Sequence, residues 1–316
     1  MGNDFFTEMR KIEGVFPAIP AVFGREEELC TDEIKHVINF VNNTRCSGIS
    51  LNLIGGEFYK LASDELRAVM EVGLESNRSG NLCLAGISAP GTATACRQAK
   101  LAQDMGVDAV VAMPPFYNPT GNYGTGAILR HFDRLLGCTD LPLVIQDFNY
   151  GIPVNMLREL LDEHSNLAGI KVEGRNRKRI LRRIREIRKE IGPDFSILGG
   201  MLGLNIKDEI GCGSSGTIPG TSLSDFLSEA YLRIRVGDFH GSHHGFLNEI
   251  LSLEAGHLKY FIFSEKAILK FRGIIGSDIC RGPYEYPRKP YIENLLNLVG
   301  KLLESNQNSR LSISGS

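Results

Sequence analysis

Lys171 closes an apolar run, Leu167-Ala-Gly-Ile-Lys-Val-Glu173. A lysine there is unusual, because an unpaired ammonium is costly to bury. Burial favours the neutral amine, and a neutral amine is the nucleophile that adds to a carbonyl and gives a Schiff base. The competing reading is a side chain that snorkels to solvent just past a strand. Position alone leaves the two in balance. Side chains two apart on a strand share a face, so Gly169, Lys171 and Glu173 are expected to point the same way. Glu173 then serves as an acid–base group or as the charge partner of the amine, against the plainer reading of a solvated loop carboxylate.

Other reactive types carry less. His240, His243 and His244 lie close together, but no cysteine or carboxylate completes a metal site at sensible spacing, and we read them as a helix end and its turn. No metal and no cofactor is expected. Cys212, in Gly211-Cys-Gly213, has no basic neighbour to activate its thiol. The basic stretch from Arg175 to Lys189 has the composition of a polyanion patch. Within it, however, Ile180, Ile184, Ile187 and Ile191 fall at helical spacing, which predicts a helix with one buried stripe and its charges in solvent.

A lysine at a strand end does chemistry only if a scaffold holds it, and the chain alternates short apolar runs with helical stretches throughout. Val15–Val22, Gly48–Leu53, Leu82–Ile87, Ala109–Met113, Leu143–Phe148, Leu167–Val172, Phe195–Leu198 and Gly216–Ile218 read as strands. Between and after them, helices are expected at Thr31–Asn43, Ser63–Glu75 (with Ser63 as N-cap), Thr92–Met105 and Ala127–Leu136. Four more are expected at Val154–His164, Arg177–Ile191, Leu204–Ile210 and Ser222–Val236. Eight such units predict an α/β fold, a parallel (β/α)8 TIM barrel over 12–236, whose catalytic groups belong at the C-terminal strand ends. A dinucleotide-binding reading fails, since no Gly-x-Gly-x-x-Gly follows Val22. Residues 237–304 read as a C-terminal helical extension of the same domain, and the Ser- and Asn-rich 305–316 as a disordered tail.

The bulk numbers agree with that scaffold. The chain has 316 residues, 42% hydrophobic and 23% charged, with a formal net charge of −2, so no global field favours nucleic acid or an anionic membrane. Its seven cysteines form no Cys-x-x-Cys pair, which fits reduced thiols in a cytoplasmic protein. Met1–Lys11 has no apolar stretch of the kind a signal peptide needs, and no apolar run is long enough to span a bilayer.

Three stretches together resemble the dihydrodipicolinate synthase / N-acetylneuraminate lyase superfamily along roughly 12–300. Leu53-Ile-Gly-Gly-Glu57 is similar to that family's Gly-Thr-Thr-Gly-Glu loop after the second strand. Pro115-Phe-Tyr-Asn118 is similar to its Pro-Tyr-Tyr-Asn loop after the fourth. Asn166-Leu-Ala-Gly-Ile-Lys171 matches its Asn-x-x-Gly-Ile-Lys, whose lysine is the Schiff-base nucleophile. The resemblance implies a pyruvate-like 2-oxo acid held as an imine on Lys171, its carboxylate bound by backbone N–H groups at Gly55 and Gly56, with Ile218 of the eighth strand against the imine. It also implies a homo-oligomer, often a tetramer, with Tyr117 near a subunit contact.

The departures are as informative. Ile54 and Gly55 replace two threonines, the first of which belongs to a hydroxyl proton relay. Gln146, in Val144-Ile-Gln-Asp-Phe148, replaces a tyrosine; an amide orients groups but shuttles no proton at neutral pH. The arginine that grips the second substrate of dihydrodipicolinate synthase is absent from Asn149-Tyr-Gly-Ile152, and Tyr117 alone remains of the relay. These changes make the chain similar to the sugar-acid dehydratase branch, exemplified by 2-keto-3-deoxy-L-arabonate dehydratase. Catalysis is expected to involve Lys171, Tyr117, Gln146 and Glu173. The expected activity is a dehydratase or aldolase acting on a deoxy keto sugar acid. Two alternatives stand beside it: dihydrodipicolinate synthase or N-acetylneuraminate lyase activity with a rebuilt relay, and a catalytically silent barrel that binds a metabolite.

Overall fold

The computed structural model describes residues 11–119, 121–149, 151–238 and 244–314. Its first units are β1 (Gly14–Val15), α1 (Thr31–Asn42), β2 (Gly48–Leu51), α2 (Ser63–Ser76), β3 (Leu82–Gly86), α3 (Thr92–Met105), β4 (Ala109–Ala112) and α4 (Thr125–Leu136). The second half follows with β5 (Leu143–Phe148), α5 (Val154–Glu163), β6 (Leu167–Glu173), α6 (Arg177–Ile191), β7 (Ser196–Gly199), α7 (Ile206–Gly211), β8 (Gly216–Thr217) and α8 (Ser224–Arg235). Every ladder is parallel, in the order β1-β8-β7-β6-β5-β4-β3-β2. The ring is closed by a bridge between Ala18 and Ser50. This is the expected (β/α)8 barrel.

The first strand is much shorter than its apolar run. Pro17 lacks the N–H that a regular ladder needs, so the strand proper is limited to Gly14–Val15, although the Phe16 N–H still donates to Thr217 O at 3.0 Å, Pro17 O accepts from the Ser50 N–H at 2.9 Å, and Ala18 bridges to Ser50. The second strand stops at Leu51, because Asn52 adopts a left-handed conformation (φ 54°) and turns the chain into the loop of Ile54 and Gly55. Ser63 does not cap α2. It is the first helical residue, Ala62 holds the cap position, and the Glu65 carboxylate reaches back to accept from the Ala62 N–H at 2.8 Å.

Two apolar layers set the barrel. Phe16, Leu84, Val111, Val144, Leu198 and Ile218 are among the side chains that fill its inside. Ile34, Val110, Leu135, Ile170, Ile184 and Ile197 belong to the larger layer between strands and helices. As expected, α6 buries Ile180, Ile184 and Ile187. After α8 come α9 (His244–Gly256), α10 (Phe261–Phe271) and α11 (Lys289–Ser314). Leu247, Ile250, Ile268, Leu295 and Val299 pack these helices together and onto Phe226 and Leu227 of α8. The helix α11 runs through Ser305–Ser314, where composition predicts a disordered tail. Its buried Leu295, Val299 and Leu302 anchor the preceding turns, and propagating a helix costs far less per residue than starting one. His240 and His243 lie outside the described residues, as does the side chain of His244; no metal-binding cluster occurs among the described residues.

Candidate active site

A register shift between Leu143 and Val144 decides which way the lysine faces. It skips Ala168 and sets Val144 opposite Gly169, Gln146 opposite Lys171 and Phe148 opposite Glu173. Val144 lies inside the barrel, so Gln146, Lys171 and Glu173 share that side at the C-terminal end. Lys171 and Glu173 are each only 6% exposed, and the lysine Nζ lies 2.7 Å from Glu173 Oε2. Gln146 Nε2 donates to the other oxygen, Glu173 Oε1, at 3.0 Å. Glu173 is therefore no solvated loop carboxylate: β6 continues through it, and it is clamped between the amine and an amide. Gln146 Oε1 is buried and has no hydrogen-bond partner among the described residues.

Glycine makes the close packing around Glu173 feasible. A Cβ on Gly200 would sit 1.8 Å from Glu173 Oε2, and one on Gly199 would sit 1.9 Å from Glu209 Oε2. Two buried carboxyl groups thus press on two successive glycines at the end of β7. Gly200 holds φ −146° and ψ −135°, outside the regions open to an L-residue, so Ala there disturbs the backbone as well as displacing the side chain it meets. We expect G200A to lose stability, and the folded fraction, checked by circular dichroism, to lose at least tenfold in turnover as Glu173 leaves the amine. Unchanged kcat in a folded G200A would show that the contact has no chemical role.

Glu209 had no sequence signal beyond its place on a short helix. It is 1% exposed, and burial, reinforced by the charges of Glu173 and Asp208, raises its pKa from 4.5 to about 8. A carboxyl protonated in the folded state and ionised in the unfolded chain stabilises the fold fully below pH 4.5. Its contribution falls as pH rises, by about 1.4 kcal/mol per unit, until the folded group itself ionises near pH 8. In E209Q this decline between pH 4.5 and 8 should disappear, as measured by urea unfolding at pH 5 and pH 8.

Lys171 and Glu173 open into a cavity of about 160 Å³ at the barrel mouth. Ala18, Leu53, Ile54, Gly55, Phe148 and Ile218 line one part of it. Met201, Leu202 and Gly220 follow from the loops after β7 and β8, and Leu258 and Phe261 come from the C-terminal helices. Met201 and Leu202 hold left-handed backbones (φ 46° and 65°), a conformation that non-glycine residues adopt only at a cost, and one found often at functional sites.

The loop after β2 places its donors differently from the expectation at Gly55 and Gly56. The Gly56 N–H is taken by Leu53 O at 2.9 Å and the Glu57 N–H by Ile54 O at 3.0 Å. Among the described residues no backbone carbonyl accepts from Ile54 or Gly55, and it is these two that line the cavity. Glu57 anchors the loop from below: it is fully buried in a left-handed conformation (φ 52°) and receives Lys266 Nζ at 2.5 Å and Lys60 Nζ at 2.9 Å. Tyr117 is not brought to the cavity. It is 63% exposed, beside Phe116, whose ring meets Phe58 edge-on at 5.6 Å. Asp147 faces away from the cavity and ties down the following loop, accepting from Gly151 N at 2.8 Å and Ile152 N at 3.1 Å.

Among curated proteins the chain is 29% identical over 167 residues to an uncharacterized DapA-like lyase of Thermococcus onnurineus, covering 51% of this chain and 54% of that one. It is 27% identical over 198 residues to the 4-hydroxy-tetrahydrodipicolinate synthase of Methanosarcina mazei, covering 61% and 65%. The chain thus spans only about half to two thirds of the length of the curated relatives it matches. In three dimensions it is similar to dihydrodipicolinate synthase from Aquifex aeolicus, with a TM-score of 0.80 at 21% identity over 92% of this chain and 97% of that one. It is similarly close to the Ruminococcus gnavus sialic acid aldolase, with a TM-score of 0.78 at 17% identity over 94% and 98%. The model of the dihydrodipicolinate synthetase family matches residues 11–299, and the chain belongs to that family.

Proposed function

We propose that the protein is a class I lyase that binds a 2-oxo acid as a Schiff base on Lys171 and acts as a dehydratase or aldolase on a deoxy keto sugar acid. The observation that carries this reading is the buried Lys171 Nζ, 2.7 Å from Glu173 Oε2, at the wall of a largely apolar cavity at the barrel mouth. Glu173 takes a proton as the amine adds to the ketone and returns one as the carbinolamine oxygen departs as water. Gln146 moves no proton; by holding Glu173 Oε1 it positions the carboxylate. The N–H groups of Ile54 and Gly55 are the donors available to the substrate carboxylate, and Ile218 packs against the imine. The iminium then withdraws electrons from the adjacent carbon, which loses its proton to the Glu173 carboxylate and leaves an enamine. In the dehydratase, that proton is handed to the hydroxyl one carbon further on, which leaves as water as the enamine electrons return, and hydrolysis of the imine frees the product and Lys171.

Ile54 and Gln146 bring no ionisable hydroxyl to the cavity, and that favours dehydration over a reaction run through a tyrosine–threonine relay. We also propose a homo-oligomer in the cytoplasm, with Tyr59, Phe116 and Tyr117 at a subunit contact; these aromatics are 50%, 36% and 63% exposed, a patch that a partner subunit would cover. No helix among the described residues is long and apolar enough to cross a membrane. The test is turnover on a panel of 2-keto-3-deoxy pentonic and hexonic acids, N-acetylneuraminate, and pyruvate with an aldehyde. Loss of water from one deoxy acid is the expected result. Cleavage of N-acetylneuraminate without dehydration would move the assignment to an aldolase, and no turnover of any of them would favour a silent binding barrel.

A further inference from the structure

A second cavity, of about 170 Å³, lies on the other side of Glu173. Asp147 and Val172, on the outer faces of β5 and β6, form its floor, and Arg175, Arg179 and Arg183 its walls. Glu173 borders both this cavity and the one holding Lys171, but its carboxylate is engaged by the lysine and Gln146. Asp147 accepts from the N–H groups of Gly151 and Ile152 and has Arg183 Nε at 3.9 Å. Three guanidinium groups therefore share one carboxylate whose oxygens are already engaged by the backbone.

The arginines are poorly neutralised. Arg183 keeps only 13% of its side-chain surface, yet its Nε and Nη2 have no hydrogen-bond partner among the described residues. Its nearest carboxylates are Glu186 at 3.7 Å and Asp147 at 3.9 Å, both beyond hydrogen-bonding reach. Among the described residues no carboxylate lies within ion-pairing distance of Arg175 or Arg179. The Arg179 guanidinium rests over the loop at Gly151, where a Cβ would meet its Nη2 at 2.7 Å. All of this occurs at the start of α6, a helix of 15 residues with no acidic side chain in its first turn. A helix N-terminus already carries partial positive charge, so gathering cations there is unfavourable unless an anion is present.

We propose that this cavity binds an oxyanion, the phosphate or carboxylate group of a small metabolite, between Arg175, Arg179 and Arg183. Bidentate pairing with guanidinium groups is the natural recognition of such an ion. The Asn149 N–H donates to Glu173 O at 3.2 Å, and Asn149 lines the cavity, so an occupant fixes the backbone that carries the Lys171 partner. This stands apart from the Schiff-base reading, because binding requires no reaction.

The test titrates inorganic phosphate into the full-length protein by 31P NMR and calorimetry at low ionic strength. Saturable binding is expected, weakened at least tenfold in R175Q/R179Q and unchanged in K171A. Arg175 and Arg179 are solvent-exposed, so the double variant is expected to fold, as circular dichroism will show. Phosphate that competes with the 2-oxo acid for Lys171 would mark the cavity as the seat of a substrate's distal anionic group. Phosphate that alters trapping without competing would mark a separate anionic ligand. Either supports the site. Absence of saturable binding, or equal binding by folded R175Q/R179Q, would overturn it.

Discussion

Incubation with pyruvate and borohydride should leave a reduced pyruvyl adduct on Lys171, found by peptide mass analysis, and K171A should carry none. Turnover by K171A should fall by a factor on the order of 10⁴ or more, the scale on which removing a covalent nucleophile acts. The expectation rests on placement. Lys171 is buried at the end of β6, and among the residues that line its cavity it is the one amine. Folding should survive, since deleting the amine leaves Glu173 with its Gln146 hydrogen bond. An adduct on another lysine, or wild-type turnover by K171A, would remove the core of the mechanism. A missing adduct with pyruvate but trapping by a longer keto acid would instead say that the cavity selects against small substrates.

The largest loss of stability is expected from K266M. Lys266 is fully buried on α10, 2.5 Å from Glu57 Oε1, and also donates to Ile279 O at 2.8 Å. Its ammonium lies over the Phe23 ring at 4.5 Å. Burial pushes the Lys266 pKa down, and Glu57 opposes that shift. Removing one member of a buried pair strands the other, at a cost of about 3–5 kcal/mol. Lys60, 2.9 Å from Glu57 Oε2, will hold the stranded carboxylate in part, so the lower end of that range is expected. Urea unfolding measures it. E57Q/K266M should lose less than the sum of the two single variants, because the pair is coupled. If K266M unfolds at the wild-type midpoint, the pair is ornamental. Its chemistry should suffer too, since Glu57 anchors the turn that presents Ile54 and Gly55.

The barrel could be read from alternation, because a parallel strand buried on both faces is a short apolar run and each run was followed by a helix at 3.6-residue spacing. The edges of the elements could not. Pro17 cut the first strand, and a left-handed Asn52 cut the second; both are backbone events that an apolar pattern does not register. Lys171 was visible because a charge ended an apolar stretch, and its shared face with Glu173 followed from strand geometry. The bulge beside Ala168, which brings Gln146 level with Lys171, left no trace in either strand alone. Long-range partners were out of reach altogether. Glu57 and Lys266 are separated by 209 positions, and Glu209 looks like any carboxylate on a helix until its burial is known. Arg183 shows the limit of periodicity: the stripe of isoleucines on α6 was correct, yet one arginine between them turns inward.

Leu258 and Phe261 belong to no β/α unit, yet they form part of the wall around the lysine. The eight-unit ring is therefore an open vessel, and the helices that follow it are its stopper. In the proposed mechanism chemistry and capacity are written in different stretches of the chain: the fifth and sixth strands hold Gln146, Lys171 and Glu173, while the segment from 258 to 261 sets how long a molecule can be and still let the stopper seat. Trading that segment for one with smaller side chains should lengthen the accepted acid and leave the bond-breaking step alone.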